Sequence, residues 1–275
     1  MPFDAVVFAG GGCRCAWQAG FWRAAGHALE PRTVAAVSAG SAFACASIAG
    51  ITDQVIADFE RRSRENPGNI HWRQALGRGP LFPHARIYRQ AILDCIDDEA
   101  FERLQQGPEI RVLLAHPPAV GGAAPWLLAG LLAYKLDRLV RRRVHVRWSR
   151  ALGFELAVAT VDRCADVGEL ADLILQSSCT PPVTPLLRRA GRAVVDGGII
   201  DSVPVELADD HERQLVLLTR RYPSRMLPQL PGRTYVQPSK KLPISAWDYS
   251  NPSGLRASYE LGKLDGDRFV ASFGS

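Results

Sequence analysis

The run Val34-Ala35-Ala36-Val37-Ser38-Ala39-Gly40-Ser41 constrains this chain more than any other stretch. Its apolar half reads as a buried strand, and the alanine- and serine-rich segment 42–49 that follows has helix-compatible composition. Between the two there is room for one tight turn, with a serine at its apex. A serine lifted out of a sheet at a strand-to-helix turn needs small neighbours two positions to either side. Gly40 meets that requirement on one side and Ala36 stands on the other, so the pattern is A-x-S-x-G. The same letters also describe a buried strand entering a helix that serine caps. The run alone leaves both open.

What precedes it narrows the fold class. Ala5-Val6-Val7-Phe8-Ala9 reads as a second buried strand, closed at once by Gly10-Gly11-Gly12-Cys13-Arg14. Residues 16–28 then place Trp17, Phe21, Ala24 and Ala28 on one helical face. Strand, glycine turn, helix and strand make an opening βαβ unit, the signature of a parallel sheet. Downstream, helices are expected at 52–65, 88–104, 170–177 and 255–273, and strands at 110–115, 154–160, 194–195 and 214–219. Residues 66–86 read as a loop. The expected architecture is a single α/β domain, a mostly parallel central sheet with helices on both faces, carried by a core at 5–220 and a helical tail at 240–275.

Composition agrees with a folded chain. At 275 residues and 47% hydrophobic content it can bury a full core, and it contains neither an internal repeat nor a long Gly/Ser linker. The first residues carry no basic region ahead of an apolar run, so no secretory signal is expected, and a cytoplasmic setting with reduced thiols is. The six cysteines lie at 13, 15, 45, 95, 164 and 179. Cys13-x-Cys15 is too tight for a zinc knuckle, and there is no C-x-x-C or H-E-x-x-H, so neither metal nor cofactor is expected.

The glycine turn does not fit the nucleotide-binding patterns. G-x-G-x-x-G requires glycine at position 15, where Cys15 stands, and the Gly-Lys-Ser/Thr of a P-loop is absent. Three consecutive glycines before a helix suit an anion pocket instead, because bare backbone N–H groups can converge on developing negative charge. A plain tight turn is the simpler alternative. Further on, Asp196-Gly197-Gly198 follows a short apolar strand. Glycines after an aspartate let other backbone approach the carboxylate, although Asp-Gly is also common hairpin punctuation.

Taken as an ordered set, Gly10-Gly11-Gly12-Cys13-Arg14, Ala36-x-Ser38-x-Gly40 and Asp196-Gly197-Gly198 resemble the patatin-like phospholipase family, whose marks are G-G-G-x-R/K, G-x-S-x-G and D-G-G/A. The proline-rich 177–185 segment and Ala159-Thr160-Val161-Asp162 look like further family blocks, and the likeness covers roughly residues 5–220. It implies a serine lipid acyl hydrolase with a catalytic dyad of Ser38 and Asp196. Gly10, Gly11, Gly12 and Cys13 would supply the oxyanion hole and Arg14 would support that loop. Ala36, Gly40, Gly197 and Gly198 would give the elbow and the aspartate room. The sequence departs from the pattern at Ala36, in place of the first elbow glycine, and at Ser202, where asparagine is usual before x-Pro.

Two rival arrangements are open. The chain order Ser38, Asp196, His211 would fit a hydrolase triad, with His211 in the polar run Asp209-Asp210-His211-Glu212-Arg213. A catalytically silent lipid-binding protein of the same fold is the other, and activity on a short-chain ester separates it from the enzyme.

Charge bears on partners. The net charge is +5, yet residues 135–150 hold Lys135, Arg138, Arg141, Arg142, Arg143, Arg147 and Arg150 against Asp137 alone. The basic character is therefore a patch. It follows 18 positions, 117–134, with no charged residue, too broken by proline and glycine for a transmembrane span. From Trp126 on, Leu127, Leu128, Leu131, Leu132, Leu136, Leu139 and Val140 share one helical face. One reading is a core helix with a solvated basic end. The other is peripheral contact with an anionic membrane through 126–150, with Trp126 and Trp148 at the interface. Nucleic acid is not expected, because the patch adjoins an apolar segment and not a run of exposed aromatics.

Overall fold

The computed structural model describes residues 3–71, 82–118, 144–145, 151–181 and 183–273. Five parallel strands form its centre in the order β3-β2-β1-β7-β8, where β1 is Ala5–Phe8, β2 Thr33–Val37, β3 Glu109–His116, β7 Gln214–Leu217 and β8 Arg233–Val236. Around β3 the sheet turns antiparallel. β4 (Glu155–Thr160) and β6 (Arg192–Asp196) both run against it, and β5 (Leu187–Arg189) pairs with β6.

The central strands are apolar on both faces because both faces are covered. In β1, Val6 and Phe8 join one core cluster while Ala5 and Val7 join another; in β2, Val34 and Ala36 are divided from Ala35 and Val37 in the same way. Helices α1 (Ala16–Ala25), α2 (Ala39–Ile48), α4 (His84–Cys95), α5 (Asp98–Gln106) and α6 (Val167–Ser177) pack on the Val6 and Val34 side. Among the described residues, the opposite side is closed by Val144 and by Val203, Val205 and Leu207. Helix α3 (Thr52–Glu65) and the closing helix α7 (Pro252–Ala271) lie outside α1, where Trp17 Nε1 donates to Asp265 Oδ2 at 2.9 Å.

All six expected strands form. The single helix expected over 88–104 is two helices, because Asp97 accepts the Ala100 N–H at 2.8 Å and caps a new one. The tail begins at Pro252 behind an Asn251 cap, and residues 240–251 ahead of it are not helical. Helix 16–28 tightens into a 3-10 turn over its last three residues. The apolar and basic stretches at 117–150 lie outside the described residues, except for Pro117, Pro118, Val144 and His145. Among the described residues no helix is long and apolar enough to cross a membrane.

Candidate active site

Strands β1 and β2 are parallel, so the glycine turn and Ser38 emerge at the same edge of the sheet, the carboxyl end where open α/β sheets bind ligands. Ser38 has φ 55° and ψ −138°, a backbone conformation that an ordinary residue avoids. The turn is held on both sides. The Ser38 N–H donates to Ser177 Oγ at 2.8 Å, and that hydroxyl donates onward to the Leu113 carbonyl at 2.8 Å. Gly40 faces the carbonyls of Phe8 and Ala9, and a Cβ there would lie 2.7 Å from each. Ala36 points into the core beneath the helices, where its methyl is accommodated. The A-x-S-x-G departure therefore falls on the side with space.

Asp196 ends β6, and the register shows why it meets Ser38. β4 occupies one flank of β3, which leaves β2 and β6 to share the other: Val37 pairs with Leu113 and Asp196 with Leu114. The two strands run toward each other and stop nose to nose. Across the gap the Ser38 hydroxyl donates to Asp196 Oδ2 at 2.7 Å. The Gly198 N–H donates to Oδ1 at 2.7 Å, and Thr180 Oγ1 donates to Oδ2 at 3.4 Å. Gly197 is pressed against the Leu113 carbonyl, which a Cβ would strike. Although Asp196 as a residue is half-buried, its carboxyl group is enclosed by these partners. Desolvation pushes its pKa up to about 6 despite the three hydrogen bonds.

The glycine turn is tied at its ends. The Gly10 N–H donates to the Ser202 carbonyl at 2.8 Å, and the Cys13 N–H to the Ala246 carbonyl at 3.0 Å. The expectation that all four residues from Gly10 to Cys13 offer donors is thus corrected. Among the described residues, only the Gly11 and Gly12 N–H groups of the turn have no hydrogen-bond acceptor. Gly12 adopts φ +59°, which glycine alone takes without strain. Arg14 Nε donates to the Gly11 carbonyl at 3.2 Å and Thr219 Oγ1 to the Gly10 carbonyl at 2.8 Å, so the turn is braced from two sides. Burial pushes the Cys13 and Cys15 thiols up, so both stay protonated in the core beside the turn.

Residues 6–209 match the family model of the patatin-like phospholipases. The chain belongs to that family. No curated protein matches it at significant similarity. Patatin-like proteins act on lipid substrates, and the matched span contains every residue placed at the site so far except Thr219 and Ala246.

Within this patatin-like frame the triad reading is corrected. His211 Nε2 lies 2.8 Å from Thr33 Oγ1, at the start of β2, whereas Ser38 follows its end. Five strand residues separate the two ends, about 16 Å at roughly 3.3 Å per residue. The Ser202 departure is also explained, because it is the Ser202 carbonyl that meets Gly10, and any residue brings a carbonyl. Asp201 steadies the same turn, accepting the Val203 N–H at 2.9 Å and lying 2.8 Å from His145 Nδ1. Sequence reasoning missed Ser177, Thr180, Asp201 and Thr219. In sequence the 177–185 segment stands out only as a family block, and single hydroxyls in it carry no spacing signal.

Proposed function

We propose that this protein hydrolyses ester bonds of lipids with Ser38 as nucleophile and Asp196 as its base. The observation that carries the reading is the 2.7 Å hydrogen bond from Ser38 Oγ to an Asp196 carboxylate whose pKa is raised to about 6. A base tuned toward the working pH transfers protons more effectively than an ordinary aspartate.

Asp196 Oδ2 takes the hydroxyl proton as Ser38 Oγ bonds to the ester carbonyl carbon. The oxyanion that forms is met by the Gly11 and Gly12 N–H groups. Because a carboxylate is a weak base for a serine hydroxyl, these donors supply much of the barrier reduction. Collapse breaks the bond to the alcohol oxygen, which leaves with the proton held on Asp196 and produces an acyl-Ser38. A water molecule then gives its proton to Asp196, attacks the acyl carbon and releases the acid, and Ser38 recovers its proton.

The test is covalent labelling. A fluorophosphonate should modify Ser38 and no other serine, and His211→Ala should label and turn over like the wild type. Modification elsewhere, or a His211→Ala loss approaching the ~10⁴-fold typical of a triad member, would replace this reading.

A further inference from the structure

Residues 197–204 lead from Asp196 back to the glycine turn. The Asp201 N–H donates to the Gly197 carbonyl at 3.2 Å, and the next carbonyl, that of Ser202, accepts the Gly10 N–H at 2.8 Å. Asp201 is thus joined by one hydrogen bond to the residue after the proposed base, and by one peptide to the proposed oxyanion turn. Its side chain is largely buried. Burial pushes its pKa up, and hydrogen bonds from His145 and from the Val203 N–H oppose that shift.

The partners of this carboxylate form a line. Oδ1 accepts the Val203 N–H at 2.9 Å, and Oδ2 lies 2.8 Å from His145 Nδ1. Among the described residues no other side chain hydrogen-bonds Asp201. The second ring nitrogen, His145 Nε2, lies 3.0 Å from the Tyr235 hydroxyl on β8, and the two rings meet edge-on. Burial pushes the Tyr235 phenol up, so it stays protonated and is a donor. In the neutral imidazole it donates to Nε2, which leaves the ring proton on Nδ1, aimed at Asp201. Val144 is buried against Val203, Val205 and Leu207, which fixes the backbone from which His145 reaches. The proposed chemistry at Ser38 uses none of these groups. A buried carboxylate that loses one of its partners is left with an uncompensated charge, so its turn must shift to find another.

We infer that His145 is a positioning residue for ester hydrolysis: backed by Tyr235, it holds Asp201, and through Asp201 the Ser202 carbonyl that fixes the glycine turn opposite Ser38. This rests on the ester-hydrolase reading above. His145 touches neither the ester nor the reacting atoms. Its effect is on where the Gly11 and Gly12 N–H groups point, and so on turnover more than on substrate binding.

The experiment measures p-nitrophenyl butyrate hydrolysis by the wild type, His145→Ala, His145→Gln and Tyr235→Phe, together with amide hydrogen exchange at Gly10 and across β7. His145→Ala should lower kcat by about tenfold with KM little changed, and should speed exchange at Gly10 by a similar factor while β7 keeps its protection. His145→Gln, whose amide can still donate to Asp201, should recover most of both. An unchanged kcat, a rise in KM at constant kcat, or a glutamine variant no better than alanine overturns the inference. Faster exchange in β7 as well as at Gly10 also overturns it, because His145 would then serve overall stability. Should His145→Ala fail to fold, Tyr235→Phe decides: a fall in kcat at constant KM supports the chain of donors, and wild-type kinetics refute it. If the wild type cleaves no ester, the hydrolase reading fails by itself. Exchange then decides the structural part alone: loosening confined to the glycine turn in His145→Ala supports it, and unchanged or uniform exchange refutes it.

Discussion

Ser38 and Asp196 terminate two strands that approach head-on along one flank of β3, Val37 lying opposite Leu113 and Asp196 opposite Leu114. Consecutive register positions on a third strand thus bring together residues 158 apart in the chain. Backbone ladders fix the pair, so the 2.7 Å contact between hydroxyl and carboxylate needs no side-chain search, as the proposed proton transfer requires.

Backbone strain at the elbow is measurable. Ser38→Ala and Ser38→Gly should both abolish ester hydrolysis, and both lose the same hydroxyl. Only glycine accepts φ 55° with ψ −138° freely, so Ser38→Gly should melt above Ser38→Ala by the equivalent of about 1 kcal/mol. Equal melting temperatures would mean that the turn is not strained by its side chain.

In the proposed mechanism Asp196 must be ionised to accept the serine proton. kcat/KM should therefore rise about tenfold per pH unit below about 6 and level off above it. Stability moves the other way. The folded pKa is raised from 3.8, so the native state holds this proton more tightly than the unfolded chain. The resulting stabilisation is fully present below about pH 4 and is lost as pH rises through about 6. Asp196→Asn cannot ionise, so its melting temperature should gain on the wild type between those pH values while its activity is lost. A constant difference across that range would show that another group carries the shift.

Thr219 braces the glycine turn, the proposed oxyanion site, through the Gly10 carbonyl. Thr219→Val keeps the shape and removes the hydroxyl. It should lower kcat by about tenfold, part of the 2.7–4 kcal/mol that one oxyanion donor typically supplies, with KM little changed. Thr219→Ser should restore the rate. A rise in KM at constant kcat would assign the turn to ground-state binding.

The basic run at 135–150 gives a prediction from sequence alone. Each basic residue near an anionic membrane contributes about 1 kcal/mol, so reversing Arg141, Arg142 and Arg143 to glutamate should cost several kcal/mol of vesicle binding. Raised salt should weaken the wild type similarly, and cleavage of a soluble ester should hardly change. Sedimentation with anionic and neutral vesicles decides the matter: equal binding to both, or to neither, would reduce the arginines to a solvated segment.

Local patterns determined a good deal here. Apolar runs buried on both faces identified the parallel strands, because a strand covered by helices needs no polar alternation. The small residues around Ser38 and after Asp196 marked where backbone must approach backbone, as Gly40 does against Phe8 and Ala9 and Gly197 against Leu113. Both are constraints within a few residues, and spacing records them. The tertiary structure decided what depends on distant partners. It committed the Gly10 and Cys13 N–H groups to Ser202 and Ala246, sent His211 to Thr33 at the far end of β2, and brought Ser177 and Thr180 to Ser38 and Asp196. A hydroxyl or a backbone donor has no preferred neighbour in sequence. Its role is set only by which carbonyl or carboxylate the sheet register places within about 3 Å of it.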